Sequence, residues 1–529
     1  MVDSKLWKDI DYSGVEKYVK DAFRDLWEKG GEKMYEKYPE KRPFTIEATK
    51  NGTKIYFQQS IDSVYDELDP LKVDVSTDNG QTWREITAAP AENGIPGSIV
   101  ASLNPGDKII IKGNNSAYGC FSGSAERDIY HCHFWADKPC YVYGNMMSLI
   151  RKTGFEKLQS IGKNAFAYFF SDYNDYDEDP DWSWVLNKNE CPILLPATSL
   201  AKNCYGDMFR GCSSLTITPK LPATVLALGC YSNMFRGCSS LTIAPELPAT
   251  VLAPSCYSGM FQNCTSLLAA PELPVMKLES YCYSAMFVGC SSLTVAPELP
   301  AITMAVSCYS NMFVNCISLI KTPDLKATSL EKLCYRDMFR GCTSLTTVSN
   351  LPATTLANGC YNNMFSGCTS LTTVPELPAT ILADSCYSGM FQGCTSLTTV
   401  PELPVMTLAD NCYRRMFRNC TSLTISPELP ATVLVNSCYD SMFQNCTSLT
   451  TAPELLSTTL APYCYNTMFD GCRNLSYIKA LFTTTPSNTY TYNWVQGVSL
   501  SGTFVKSASA AWDVTGGNGI PSGWTVQTE

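Results

Sequence analysis

The chain has 529 residues, with 39 Lys+Arg against 49 Asp+Glu, a formal net charge of −10, 26 Cys and only 2 His. An acidic balance with no basic run argues against sequence-independent nucleic-acid binding, which depends on neutralising phosphates, and offers no attraction to an anionic membrane. The two histidines, His131 and His133, leave little for imidazole catalysis or zinc chemistry.

In chain order, the opening Met1-Val-Asp-Ser-Lys-Leu-Trp holds no apolar core of a secretory signal, and no run approaches the ~18 apolar residues of a membrane span. Neither export by a signal peptide nor membrane insertion is expected. Ser13 followed by Glu16 forms a capping box that opens a helix, and Gly30-Gly31 closes it. Val15, Val19, Phe23, Leu26 and Trp27 fall on one face of that helix. Two readings stand: packing on the neighbouring domain, or docking to a partner protein or a second copy. Pro39 and Pro43 mark the boundary, so residues 1–43 read as an amphipathic docking segment.

Residues 44–145 alternate apolar and polar positions between Gly/Asn/Asp turns, over Phe44–Ala48, Lys54–Gln58, Val73–Val75, Ser98–Leu103, Lys108–Lys112 and Tyr141–Tyr143. A small β-sandwich is the expected fold. Ser76-Thr-Asp-Asn-Gly-Gln-Thr-Trp83 matches the Asp-box pattern that recurs in sialidase propellers, but one copy is a hairpin-turn device and carries no glycosidase reading. Cys132 lies between the two histidines; on a strand, neighbours point to opposite faces, so the three do not readily share one ion.

Residues 146–190 read as a degenerate first repeat, with Ala165-Phe166 and Phe169-Phe170 in place of the later motif, because the end of a stack must present a capping face. Within it, Asp175, Asp177, Asp179 and Asp181 are spaced like calcium ligands but lack the Gly and Glu of an EF-hand; a solvated acidic loop is the plainer account.

Eleven Cys-Tyr pairs then follow, from Cys204 to Cys464, every one 26 residues after the last, and a second cysteine stands eight residues after each, from Cys212 to Cys472. Cys204, Met208, Phe209, Cys212 and Leu215 in the first unit reappear as Cys360, Met364, Phe365, Cys368 and Leu371 in the seventh. A fixed period of this length is the signature of a solenoid, in which each unit buries its apolar face against its neighbours. Cys, Met and Cys four apart, with Tyr and Phe alongside, predict a short helix; Gly or Asn seven residues after the first Cys predicts its left-handed end. Leu371–Val374 predicts a short strand, and Pro375 and Pro378 a turn. Strands stacked at about 4.8 Å would carry eleven units over roughly 50 Å. Carboxylates recur at one register, from Glu246 through Glu272, Glu298, Asp324, Glu376, Glu402 and Glu428 to Glu454, either solvated or set against a cationic partner. Arg210, Arg236, Gln262, Val288, Arg340, Arg414, Arg415 and Asp470 vary beside the predicted helix and suit specificity.

Met364-Phe-Ser-Gly-Cys-Thr-Ser-Leu371 resembles the core of the BspA-like leucine-rich repeat, and the resemblance covers about residues 146–480. It implies an α/β repeat solenoid of short strand plus short helix, and a role in adhesion or recognition, as in gut bacteria and their phages. The cysteines allow two readings, disulfides between turns or small reduced core residues in ladders; registered stacking points the side chains parallel and favours the second. The solenoid is bounded as residues 146–481. Residues 482–529 lose the period and read as an aromatic closing cap, with Trp494, Phe504, Trp512 and Trp524.

No Ser/His/Asp order, P-loop, dinucleotide fingerprint or zinc motif is present, so neither a catalytic residue nor a cofactor is assigned. The expected function is non-enzymatic: a phage virion appendage, head or tail fibre, assembled in the host cytoplasm. It would be anchored to virion proteins by residues 1–43 and contact a host surface protein or glycan through the solenoid. A bacterial cell-surface adhesin is the alternative, and a homo-oligomer is allowed by either.

Overall fold

A computed structural model describes residues 34–60, 71–90, 99–115, 121–122, 129–171, 183–188 and 190–529. The docking helix, with Val15, Val19, Phe23, Leu26 and Trp27, lies outside these residues, as do Asp175, Asp177, Asp179 and Asp181.

The alternating N-terminal region forms strands β1 (Phe44–Ala48), β2 (Thr53–Ser60), β3 (Lys72–Ser76), β4 (Arg84–Thr87), β5 (Ala89–Pro90) and β6 (Ile99–Leu103). It continues through β7 (Lys108–Gly113), β8 (Phe121–Ser122), β9 (Ile129–Ala136) and β10 (Cys140–Asn145), and two later strands, β11 (Val185–Asn187) and β12 (Ile193–Leu194), join it. One sheet has the order β11-β10-β1-β7-β3-β4 with β12 also on β10; the other has β5-β2-β9-β8 with β6 also on β2. Their apolar faces share one core: Phe44 of β1 lies 6.2 Å from Phe134 of β9, which stacks on Phe57 of β2 at 4.5 Å.

β1 is buried along its whole length, the polar Thr45 and Glu47 included. Glu47 can be buried because Lys188 meets it at 2.7 Å and the Tyr143 hydroxyl donates to it at 2.7 Å. The sheet therefore runs past residue 145 into the first repeat segment, through β11 and β12.

The repeat units correct the expected helix and strand. No helix forms; each Cys-Tyr-x-x-Met-Phe-x-Gly/Asn-Cys segment is a chain of tight turns. The left-handed conformation recurs every fourth residue, at Gly229, Asn233 and Gly237 in the second unit and at Gly359, Asn363 and Gly367 in the seventh. The Gly/Asn signal does mark a left-handed residue, but that residue is the last of three rather than the end of a helix.

The hydrogen bonds show why. Cys230, Ser232, Met234 and Arg236 donate to carbonyls three residues back, while Tyr231, Asn233, Phe235 and Gly237 donate to the next unit, 25 residues on, at 2.7–3.0 Å. An α-helix would spend every amide within itself; here half of them tie one unit to the next. Four-residue turns also bring residues i and i+4 together, so Cys360, Met364 and Cys368 share an inward side just as they would on a helix.

The predicted strand is reduced to isolated parallel bridges between units, such as Ile243↔Ala269 and Val295↔Lys321. Continuous strands return only from the last unit onward, as β13 (Tyr477–Ala480), β14 (Thr503–Lys506) and β15 (Thr525–Thr528), paired in parallel in that order.

Inside the stack every unit repeats the same columns. Tyr205 to Tyr465 stack ring on ring at 5.8–6.1 Å, with planes within 2–11° of parallel. Phe209 to Phe469 do the same at 5.5–5.8 Å. Each such pair adds about 0.5–1.5 kcal/mol beyond the burial of its area.

The degenerate repeat supplies the bottom ring of both columns, Phe166 stacking on Tyr205 and Phe170 on Phe209. Asn187 caps the bridge side, its amide mimicking a peptide: Oδ1 accepts from Thr216 and Ile217 amides and Nδ2 donates to the Ile217 carbonyl at 2.8 Å. At the other end the period is lost in residue type but kept in backbone. Asn493 and Gly497 are left-handed like Thr467 and Gly471, and Tyr477 pairs with Thr503. Trp494 takes the methionine position, and Phe482 and Trp512 close over it.

Candidate recognition surface

The four-residue turn rhythm sorts each unit into inward and outward pairs. In the second unit Cys230, Tyr231, Met234, Phe235 and Cys238 are buried, while Ser232, Asn233, Arg236 and Gly237 reach the surface. Residues two, three and six after the first cysteine thus line one side of each unit, a turn face that reaches the surface in some units, as at Arg236, Asn363 and Arg418, and is buried in others, as at Asp207, Val314 and Asp337.

The inward columns hold the residues expected for the core. Cys204, Met208, Phe209, Cys212, Leu215, Cys360, Met364, Phe365, Cys368 and Leu371 are all fully buried. Among the described residues 25 cysteines are free. The second cysteine column also hydrogen-bonds: Cys238 Sγ donates to the Phe209 carbonyl at 3.1 Å, and each later unit repeats this to Cys472 on Phe443. Burial pushes these thiols up, Cys290 and Cys342 to about 12, so they are poor nucleophiles near neutral pH.

Cys132 and His133 are both buried on β9, and among the described residues no three His, Cys, Asp or Glu side chains converge as a metal site needs. The Asp-box turn forms as a hairpin between β3 and β4: the Thr82 amide donates to Asp78 Oδ1 at 2.9 Å and the Gly80 amide to Ser76 Oγ at 2.8 Å. The Thr82 hydrogen bonds hold the Asp78 carboxyl at about 2.

Charge divides between faces. The recurrent carboxylates, from Glu246 to Glu454, are all exposed; the last is 3.4 Å from Lys479. The turn face carries arginine instead. Arg210 lies 3.8 Å from Asp207, whose carboxyl burial raises to about 6 against the pull of Arg210. Asp337 meets Arg336 at 3.0 Å and Arg340 at 3.5 Å. In the ninth unit Arg414, Arg415 and Arg418 come together, and Arg414 pairs with Asp440 at 2.9 Å. Burial first, then the like charges of Arg414 and Arg418, lowers the Arg415 pKa.

A third surface is apolar and β-branched, with Ile243, Val295, Ile381 and Val433 at 69–76% exposure near the bridges. Arg418, Arg336 and Asp440 do not stand out in the sequence by themselves; counting six or two residues from each Cys-Tyr finds them.

The profile of the BspA type leucine rich repeat region matches the chain in six copies, over residues 202–346, 280–398, 306–450 and 362–499. Together these spans cover more than half of the 529 residues. The chain belongs to the BspA-type leucine-rich repeat family. No match to a curated protein was found. In this BspA-type protein the family's repeat is built from inter-unit turn ladders, and what varies between units lies on the turn face and the apolar bridge face. Among the described residues no helix is long and apolar enough to cross a membrane.

Proposed function

We propose that this BspA-type protein is a non-enzymatic recognition protein that adheres to a surface through the outward columns of its repeat stack. One observation carries the reading. In all eleven units the inward positions are Cys, Tyr, Met, Phe, Cys and Leu without exception, while the position six after the first cysteine runs Arg, Arg, Gln, Val, Val, Arg, Ser, Gln, Arg, Gln, Asp. Core positions fixed by packing beside varied surface positions suit a scaffold that presents side chains, rather than one that organises a reaction. The family points the same way, toward surface adhesion or recognition.

In its finer form the reading is a phage virion appendage, a head or tail fibre. Residues 1–43 would dock to other virion proteins and the stack, a solenoid, would meet a protein or glycan of the host surface. The free, buried thiol columns favour it, since they suit folding in a reducing cytoplasm, where virions assemble. A bacterial surface adhesin is the alternative. Mass spectrometry of purified virions from an infected culture decides between them. The virion form predicts the protein in particles at fixed stoichiometry; its absence from particles and abundance on uninfected cells would reject that form.

A further inference from the structure

The arginine clusters of the turn face are not alike. In the first and sixth units the position three after the first cysteine is an aspartate, Asp207 or Asp337, which faces the arginines of its own unit. In the ninth unit that position is Arg415, so the internal counter-ion is replaced by a third positive charge.

Two of the carboxylates nearby are already engaged. Asp440 takes Arg414 Nε on one oxygen at 2.9 Å and the Ser441 hydroxyl on the other at 2.6 Å. Asp470, further along the face, accepts from Gln444 Nε2 at 2.8 Å. Nε of Arg415 and Nε of Arg418 are buried and have no hydrogen-bond partner. Exposed Asp384 and Asp410, on the flanking column, make no ion pair among the described residues.

The arrangement is unfavourable twice over. Three like charges are crowded on one unit. Arg415 also holds φ at 57°, a conformation suited to glycine or asparagine, which other units place at the same position, as Gly389 and Asn363. Asp440 offsets part of the first penalty through its ion pair with Arg414, but Arg415 and Arg418 make no ion pair among the described residues, and a bound anion would relieve the rest.

We propose that Arg414, Arg415 and Arg418 form a binding site for acidic glycans, in which the guanidiniums of Arg415 and Arg418 take carboxylate or sulfate groups. Gln392 and Gln444, in the Arg418 column of the units on either side, reach the surface and suit sugar hydroxyls. A glycan fits better than a nucleic acid. The patch is small, bounded by Asp384, Asp410 and Asp470, and belongs to a chain of net charge −10, so acid groups separated by neutral sugar are accommodated where a continuous phosphate chain is repelled. The site rests on the recognition reading above and gives it a ligand class.

Titration calorimetry on the full chain tests it. The probes are a heparin oligosaccharide, carrying sulfate and carboxylate, a hyaluronan oligosaccharide, carrying carboxylate alone, and neutral dextran. Wild-type protein should bind at least one acidic probe, more weakly as salt rises, and dextran far less. Arg415→Ser and Arg418→Gln use residues that other units carry at the same positions, and each should weaken binding roughly tenfold. Glu402→Gln, on the carboxylate column, should leave it within about twofold. Preference for heparin over hyaluronan would assign sulfate, and the reverse carboxylate. Equal affinity for dextran, no binding of either acidic probe, or unchanged affinity in the two arginine variants with unchanged melting would each overturn the site. Neutral-glycan binding alone would overturn it while leaving the recognition reading intact.

Discussion

Each thiol of the second cysteine column does two things a serine or alanine would divide between them: it fills a small apolar space and it donates to the phenylalanine carbonyl of the unit before. Its burial has a consequence in pH. Cys290 and Cys342 rise to about 12, and Cys308 and Cys360 of the first column to about 11, from the ordinary 9.0. A raised folded-state value means the native chain keeps protons that the unfolded chain releases. The stabilisation is therefore complete below pH 9 and falls as pH rises from 9 through the folded values, by up to about 1.4 kcal/mol per thiol per pH unit. Summed over two columns, this predicts steep loss of near-UV circular dichroism in alkali, starting within about one unit above pH 9. A native signal that persists past pH 12 would contradict the buried thiol columns.

At the scale of the repeated element, cross-unit amides of the turn segment, such as those of Tyr231, Asn233, Phe235 and Gly237, reach carbonyls 25 residues ahead. Deleting residues 360–385, one whole period, should leave a cooperatively melting stack one unit shorter. Deleting 360–372, half a period, should put Cys and Tyr columns against surface positions and abolish cooperative melting. Equal stability of the two deletions would count against registered stacking.

Such columns are legible in the sequence because a period without insertions leaves one alignment of the units, and the ring stacks from Phe166 to Tyr465 follow it. The local conformation is not legible, since apolar residues at i and i+4 satisfy an α-helix and a run of four-residue turns equally. The deciding signal is the left-handed rhythm at Gly359, Asn363 and Gly367, of which only the last stands out as a helix-ending residue. In other units that rhythm is hidden by Leu333, Tyr281 and Thr467, side chains that seldom adopt it. The recurrent carboxylates and Arg414-Arg415 are visible as exposed, varied positions. Arg418 Nε, unpartnered, emerges only when the units are stacked.

For the whole molecule, the N-terminal sheets and the repeat stack are joined through Glu47, Lys188 and Asn187, and the far end is closed by Trp494, Phe482 and Trp512. Both ends of the columns are thus covered, and the long sides between them stay uncovered, arginine-bearing on the turn face and acidic along the carboxylate column. The measurement that tests recognition by the turn face most directly is saturation binding of the labelled full-length protein to gut bacterial cells. It would be run beside a turn-face variant (Arg340→Gln, Arg415→Ser, Arg418→Gln) and a carboxylate-column variant (Glu298→Gln, Glu402→Gln). Saturable binding that is lost in the first variant and kept in the second, with all three proteins melting alike, is the predicted result. Absence of saturable binding by the wild-type protein, or equal binding by both variants, would contradict it.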